Sequence, residues 1–159
     1  MSAPRAALLV KVDTLGDLVL AAPTLRALRA AWPDTRLVVV IRRAYLDLAP
    51  LLAPNVEWLA TTLDPFNQSP DSDPAELTRL RNAVTALQPE IVAAATSRRN
   101  WLEIALAAAA PAARRLALGA AAQDEFFDTQ LRVQLGLDSA HAFPETLPAP
   151  DAEPDWQRN

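Results

Sequence analysis

The hydrophobic positions of the chain form short continuous runs, separated by longer segments with helical spacing. Leu37 to Ile41 is an unbroken run of Leu, Val and Ile, and Ala6 to Val12 opens with a similar apolar run. Runs of this kind are typical of parallel strands that are covered on both faces. Weaker runs of the same type occupy residues 56–60, 91–95 and 115–118. The pattern therefore predicts five parallel strands.

Segments of helical length lie between these runs. Leu18 to Ala31 follows the first strand, and we expect Pro23 to kink this helix or to open its main part. From Leu77 to Leu87 apolar residues recur every three or four positions, which predicts a helix with one buried face, capped by Asp73. Further helices are expected near residues 100–110 and 124–135. Alternating strands and helices predict an α/β, Rossmann-like, doubly wound parallel sheet with strand order 3-2-1-4-5.

The end of the chain has a different composition. From Phe143 to Asp155 it is acidic and contains four prolines, which is typical of a linker. Residues 156–159 then look like the start of another element. We therefore predict one domain over residues 1–142, and a linker with the start of a missing C-terminal domain over residues 143–159.

The composition argues against several classes of function. The 159 residues carry a formal net charge of −4, whereas nucleic-acid binders usually show clustered positive charge. The chain has no cysteine and one histidine, so disulfides and thiolate or multi-histidine metal sites are excluded, and we expect no metal and a cytoplasmic location. The apolar run at the N-terminus stops far short of the roughly 20 residues that a membrane-spanning helix needs.

One loop stands out as a candidate site. Gly16 and Asp17 lie where the first strand passes into the first helix, at the sheet edge where open α/β folds bind ligands. Gly16 is one of only three glycines, which suggests a positive φ angle or the close approach of another molecule. The spaced glycines of a dinucleotide site and the Gly-Lys-Ser/Thr of a phosphate loop are both absent, which disfavours simple nucleotide binding here.

The sequence around this loop resembles that of a known family. Residues 11–28 read Lys-Val-Asp-Thr-Leu-Gly-Asp-Leu-Val-Leu-Ala-Ala-Pro-Thr-Leu-Arg-Ala-Leu, which is similar to the opening of glycosyltransferase family 9, the lipopolysaccharide heptosyltransferases. Weaker similarities follow at residues 32–34, at Arg42 and Tyr45, and at residues 54–56, so the resemblance extends from about Ala6 to Gly119. After the fourth strand, many members carry an acidic or amide residue followed by glycine. This chain has Thr-Ser-Arg-Arg-Asn-Trp at residues 96–101 instead, which leaves the identity of the acceptor open.

The resemblance implies an inverting, metal-independent enzyme with two Rossmann-like domains, the GT-B architecture. Such enzymes transfer heptose or a related sugar from a nucleotide-sugar donor such as ADP-heptose, which binds mainly to the second domain. This chain would be the N-terminal, acceptor-side half, inactive alone. Its partner would be the lipopolysaccharide core or another lipid-linked glycan, at the cytoplasmic face of the inner membrane, with peripheral membrane contact.

The resemblance also assigns a role to Asp17, which matches the proposed catalytic base of the family. The loop taken alone favours a simpler interpretation, in which Asp17 caps the helix, where its charge suits the helix dipole. Asp13 is a second candidate carboxylate for acceptor binding, although a residue of this type also fixes turn geometry. Gly16 would let the acceptor approach the backbone.

Two pairs of arginines complete the predicted site. Arg42 and Arg43 follow the second strand, and Arg98 and Arg99 follow the fourth, so parallel strands would bring both pairs to the edge that carries the Gly16 loop. Guanidinium groups bind phosphate and carboxylate in bidentate fashion, which suits the phosphorylated inner core of lipopolysaccharide. The other interpretation is a solvated basic surface.

An Asp-x-Asp sequence and three tryptophans are weaker candidates for functional residues. Asp71-Ser72-Asp73 imitates the metal-binding Asp-x-Asp element of other glycosyltransferases, but Asp73 is already used as a helix cap, so we reject that role. We expect Trp32, Trp58 and Trp101 to be packing residues. Two alternative functions stay open: a non-catalytic binding module with no donor domain, and an unrelated Rossmann-like epimerase or reductase, against which the missing glycine fingerprint counts.

Overall fold

The computed structural model describes residues 2–95, 99–118 and 142–147, and these build one parallel sheet with helices on both faces. The strands are β1 (Ala6–Val10), β2 (Arg36–Arg42), β3 (Glu57–Thr61), β4 (Ile91–Ala94), β5 (Arg114–Leu118) and β6 (Glu145–Leu147). The helices are α1 (Leu15–Ala31), α2 (Ala49–Leu52), α3 (Pro74–Leu87) and α4 (Trp101–Ala108), and a short 3-10 helix (Arg43–Tyr45) follows β2. None of the described helices is long and apolar enough to cross a bilayer.

The strand order is β3-β2-β1-β4-β5-β6, with every neighbouring pair parallel. The predicted order 3-2-1-4-5 and the Rossmann-like fold are therefore confirmed, and β6 adds a strand beside β5. The chain moves outward from β1 through β2 to β3, and then crosses back to β4. This reversal places the carboxyl ends of β1 and β4 side by side at the switch point of the sheet, where open α/β folds bind their ligands.

The two faces of the sheet have separate cores, because side chains alternate along each strand. On β1, Leu8 and Val10 belong to the core beneath α3 and α4, while Ala7 and Leu9 belong to the core beneath α1 and α2. Helices that cover both faces bury the central strands completely. This burial explains why β1 and β2 appear in the sequence as continuous apolar runs.

The N-termini of α3 and α1 can be compared with the predicted helix starts. Asp73 accepts a hydrogen bond from the backbone N–H of Glu76 at 3.0 Å and Pro74 is the first residue of α3, as predicted. Helix α1 begins at Leu15, three residues before the predicted start, because Thr14 caps it. Pro23 lies inside this helix, which continues to Ala31, so the expectation that Pro23 opens the main part was wrong.

The start of the predicted linker is part of the sheet. Phe143 is only 1% exposed and packs in the α3–α4 core, and Glu145–Leu147 pairs with β5 as β6. An ion pair of 2.6 Å joins Glu145 to Arg114 of β5. The boundary at residue 142 therefore needs correction, because one buried aromatic and one strand pairing outweigh the proline-rich composition. The predicted helix over residues 124–135, and residues 148–159, lie outside the described residues.

Replacement of Phe143 tests whether this segment belongs to the domain. Because the side chain is buried, Phe143→Ala should lower the free energy of unfolding by about 3–5 kcal/mol. Urea unfolding followed by circular dichroism measures the change. Leu20→Ala is the control, since Leu20 is 78% exposed and should change stability by less than about 0.5 kcal/mol. Equal, small effects of both substitutions would restore the linker interpretation.

Candidate functional site

Asp17 lies in the first turn of α1, directly beyond β1, where its carboxylate forms a capping box with Thr14. Asp17 Oδ2 accepts a hydrogen bond from the Thr14 hydroxyl at 2.7 Å and one from the Thr14 backbone N–H at 3.3 Å. In return, the backbone N–H of Asp17 donates to Thr14 Oγ1 at 3.3 Å. The bond from the Thr14 hydroxyl is the main reason that the pKa of Asp17 is lowered. Asp17 is therefore the N3 partner of the N-cap Thr14 in the capping box, and its carboxylate is ionised at neutral pH.

The capping role leaves half of the carboxylate open. Asp17 is half-buried, and all of its side-chain hydrogen bonds within the described part of the chain go to Oδ2. The capping box holds the side chain in one orientation and uses Oδ2, whereas Oδ1 accepts no hydrogen bond from the described residues. The capping role is therefore compatible with the predicted role as a base, which stays a prediction.

Gly16 does not have the predicted backbone. It is the second residue of α1, its φ angle is not in the left-handed region, and an added Cβ would lie 3.6 Å from Thr14 Oγ1, an ordinary contact. The expected positive φ was therefore wrong, because the helix starts earlier than the sequence suggested. Gly16 is exposed, so the approach of an acceptor at this point stays a prediction.

Asp13 is buried rather than open to a ligand. Its Oδ2 lies 2.6 Å from Lys11 Nζ, and the two side chains are only 11% and 8% exposed. Burial is the main reason that the pKa of Asp13 is raised, while the bond from Lys11 opposes this effect. The prediction that Asp13 touches the acceptor therefore conflicts with its position, because its carboxylate is enclosed within the loop.

Sequence reasoning missed the role of Lys11. A signal for it was present, since residues two apart in extended chain point to the same side, and Lys11 and Asp13 have this spacing at the end of a buried run. Lys11 Nζ also lies 3.4 Å from the carbonyl oxygen of Ala95, just beyond β4. The lysine thereby joins the carboxyl ends of β1 and β4.

The Arg42 side chain forms hydrogen bonds to two loops of the protein. Its Nε donates to the carbonyl oxygen of Val12 at 2.8 Å, and its Nη2 lies 2.6 Å from Asp64 Oδ1 in the loop between β3 and α3. Its guanidinium carbon also lies 5.7 Å from the centre of the Phe66 ring. Arg42 therefore has a structural role that depends on a partner 22 positions away along the chain, and its predicted acceptor contact stays a prediction.

The other arginines differ among themselves. Arg43 is exposed, and its side chain has no hydrogen bond or ion pair within the described ranges. Arg99 is half-buried, immediately before Asn100, the N-cap of α4. Arg98 lies outside the described residues. The confirmed strand order places β2 and β4, which Arg43 and Arg99 follow, on either side of β1, and the acceptor contact of these arginines stays a prediction.

The loop between β3 and α3 is also held from a second side. The indole N–H of Trp101, a residue that is 2% exposed, donates to the carbonyl oxygen of Gln68 at 2.7 Å. Trp101 is thus a packing residue, as expected, and Trp32 and Trp58 are half-buried. Within the described ranges, no group of three His, Asp or Glu side chains gathers as a metal site would.

The neighbouring arginines allow a matched test of the loop contacts. Arg42→Met should lower the free energy of unfolding by about 1–3 kcal/mol, because the Val12 carbonyl loses its side-chain donor and Asp64 loses its charged partner. It should also speed amide hydrogen exchange in residues 62–73. Arg43→Met removes the same group at an exposed position and should change neither quantity. Similar values for the two variants in urea unfolding and hydrogen exchange would contradict the fastening role.

Comparisons with known proteins bear on the fold. No family model matches the sequence, and no curated protein matches it. The structure is similar to the crystal structure of a glycosyl transferase family 9 protein from Veillonella parvula, with a TM-score of 0.57 and 21% sequence identity. The match covers 72% of this chain and 31% of that protein, so the chain corresponds to less than a third of its length. At this identity the similarity is one of fold, and the two proteins share a Rossmann-like α/β domain.

Proposed function

We propose that this chain is the N-terminal, acceptor-side half of an inverting, metal-independent glycosyltransferase that resembles family 9. The observation that carries the proposal is the Asp17 carboxylate, which Thr14 holds through Oδ2 at the switch point of the sheet, while Oδ1 accepts no hydrogen bond from the described residues. The fold similarity to a family 9 protein supports the same reading. The residues around Asp17 support it too, since their sequence resembles the opening of that family.

In this proposal Asp17 is the general base. The acceptor hydroxyl donates a hydrogen bond to Oδ1, and its oxygen attacks the anomeric carbon of the donor sugar. As the new C–O bond forms, the proton passes to Asp17, and the bond from the anomeric carbon to the nucleotide phosphate oxygen breaks. The phosphate leaves with the bonding electrons, and attack from the opposite side inverts the anomeric centre.

The electrostatics limit how much this base contributes. The hydrogen bonds from Thr14 lower the pKa of Asp17, so the carboxylate is available at neutral pH but is only a moderate base. General-base assistance by a positioned side chain contributes about 10²–10⁴-fold to a rate. The remainder of the acceleration would come from binding and orienting the two substrates in the complete enzyme.

The proposed acceptor is an anionic lipid-linked glycan such as the lipopolysaccharide core, and the donor is a nucleotide sugar such as ADP-heptose. Arg43 is exposed at the site edge and supplies a guanidinium group for phosphate. Arg98 and Arg99 are proposed for the same function from the opposite side. The donor would bind mainly to a second domain, at the cytoplasmic face of the inner membrane, so this chain alone would bind acceptor without turnover.

The catalytic assignment is tested in the longer protein. If the reading frame continues past Asn159 into a second α/β domain, Asp17→Asn in that protein should lower kcat by about 10²–10⁴-fold, because the base is lost. The KM for the nucleotide sugar should stay unchanged. Asp47→Asn is the control, since Asp47 is an exposed carboxylate that also follows β2. Retained activity of Asp17→Asn would contradict the assignment, and a stop codon after Asn159 would favour the binding module.

The acceptor assignment is tested with the chain alone. Calorimetric titration with lipid-free inner-core oligosaccharide of lipopolysaccharide should give measurable binding that weakens with added salt. Arg43→Met should weaken it by about tenfold, because a hydrogen bond to a charged group is lost. Leu20→Ala leaves the charge unchanged and should bind as the wild type does. Absence of binding, or an Arg43→Met variant that binds equally well, would contradict an anionic acceptor at this edge.

A further inference from the structure

The side of α1 that faces away from the sheet is apolar along its whole length. Leu18, Ala22 and Leu25 are buried in the core, whereas ten residues of the helix are exposed. Of these ten, in a helix that the structure describes completely, Thr24 and Arg26 are polar and the other eight are Leu, Val, Pro, Ala or Gly. A surface helix normally carries charged and polar residues on this side. The outer side of α1 therefore resembles a surface that another molecule covers.

Helix α3 of the same domain has the usual distribution. Its exposed positions include Thr78, Arg79, Arg81, Asn82 and Thr85. Both helices bury one side against the sheet, so the contrast between them lies in their outer sides. The apolar outer side of α1 is thus specific to this helix and does not follow from the apolar content of the chain as a whole.

The short helix α2 extends this apolar surface, because it lies beside α1. Arg26 Nε of α1 donates a hydrogen bond to the carbonyl oxygen of Leu52, the last residue of α2, at 2.7 Å. Leu51 lies two positions from Ala49 and two from Ala53, which are both fully buried. Residues two apart on a helix point in nearly opposite directions, so Leu51 points away from the core and is 75% exposed.

Leu20 has the corresponding position on α1. It lies between the buried residues Leu18 and Ala22 and is 78% exposed. Leu20 and Leu51 are the two most exposed large apolar side chains in the part of the chain that the structure describes. We call the exposed side of α1, together with the exposed residues of segment 43–52, the α1–α2 face.

The α1–α2 face has few groups that could form hydrogen bonds with a protein partner. Protein interfaces are enriched in aromatic residues and have about one hydrogen bond per 100–200 Å². The exposed residues of this face, all of which are described, include no aromatic and no amide side chain, and the polar ones are Thr24, Arg26, Arg43 and Asp47. Hydrocarbon needs no such partners, because its contact with aliphatic side chains depends on buried apolar area. The composition of the face therefore favours a lipid surface over a protein.

The charge around the face complements phospholipid headgroups. Helix α1 and residues 43–52 together contain three arginines and two aspartates, whereas the whole chain has a formal net charge of −4. Helices that lie in the interface of a bilayer combine an apolar side with Arg or Lys near the headgroup phosphates. The α1–α2 face is thus a weakly cationic region of an acidic chain.

We propose that the α1–α2 face docks on a phospholipid bilayer, with α1 parallel to the membrane plane and with Leu20 and Leu51 inserted between the headgroups and the acyl chains. The inference deepens the proposed function and rests on it, because it identifies the surface through which the enzyme would meet a lipid-linked acceptor. Asp17 lies in the first turn of α1, so docking through this helix would hold the proposed base at the level of the headgroups.

The depth of insertion is measured with a nitroxide label, which the absence of cysteine allows at a single chosen position. Vesicles of phosphatidylcholine and phosphatidylglycerol in equal parts are added to labelled Leu20→Cys. The label should become more accessible to oxygen and less accessible to a water-soluble nickel chelate, because oxygen concentrates in hydrocarbon and the chelate is excluded from it. Asn82→Cys, on the outer side of α3, is the control and should keep its values. Unchanged accessibility at Leu20→Cys, or the same change at both positions, would overturn the proposal.

Sedimentation with the same vesicles measures the strength of docking. Leu20→Ser/Leu51→Ser should weaken binding by at least about tenfold, because two inserted aliphatic side chains are lost. Asn82→Ser/Ala86→Ser changes two exposed residues of α3, also without a change of charge, and should bind as the wild type does. All four positions are exposed, and circular dichroism checks that both variants fold. Equal binding by the two variants would contradict docking through this face.

Ultracentrifugation without lipid tests the competing occupant, a second copy of the chain. A dimer that Leu20→Ser/Leu51→Ser dissociates would assign the face to self-association and overturn the proposal, whereas a monomer agrees with it. No donor or acceptor is present in any of these measurements. A failed transfer test with Asp17→Asn would therefore leave vesicle binding unaffected, and absence of vesicle binding would leave the role of Asp17 as a base unaffected.

Discussion

The parallel pairing of β1 with β2 on one side and β4 on the other is the constraint on which the site depends. It brings the carboxyl ends of three strands to one edge, although their residues are separated by up to 84 positions along the chain. On one side, Arg42 of β2 donates to the Val12 carbonyl of the first loop. On the other side, Lys11 of that loop contacts the Ala95 carbonyl just beyond β4.

Two cations hold this loop from opposite sides, in different ways. Lys11 is almost fully buried and acts as a point charge on Asp13, while Arg42 is half-buried and divides its donors between the Val12 carbonyl and Asp64. A planar guanidinium suits two directed bonds to separate loops, whereas a compact ammonium suits a small enclosed space. Through Asp64, the loop between β3 and α3 belongs to the same network, and Trp101 donates a hydrogen bond to Gln68 in the middle of that loop.

The capping role of Asp17 and its proposed catalytic role depend on the same hydrogen bonds. The capping box with Thr14 stabilises the start of α1 and fixes the orientation of the carboxylate. These bonds also favour the ionised form, which a general base must have at neutral pH. Under the proposed function, Asp17 would be an ionised base of moderate strength. The exposed Arg43 and the half-buried Arg99 follow β2 and β4, the two strands that flank β1.

The sequence by itself determined the five central strands, their order, the Asp73 cap and the placement of Asp17 after β1, because these depend on local periodicity and on the limited ways in which parallel strands connect. Only the tertiary structure decided that Arg42 forms hydrogen bonds to two loops and that Asp13 is buried against Lys11. The same is true of the helical backbone of Gly16 and of the pairing of residues 145–147 with β5. Each of those outcomes depends on distances between residues that are remote in the chain, or on a burial that outweighs composition. The local sequence pattern contains no information about contacts between remote residues or about burial, because both arise only when the strands pair.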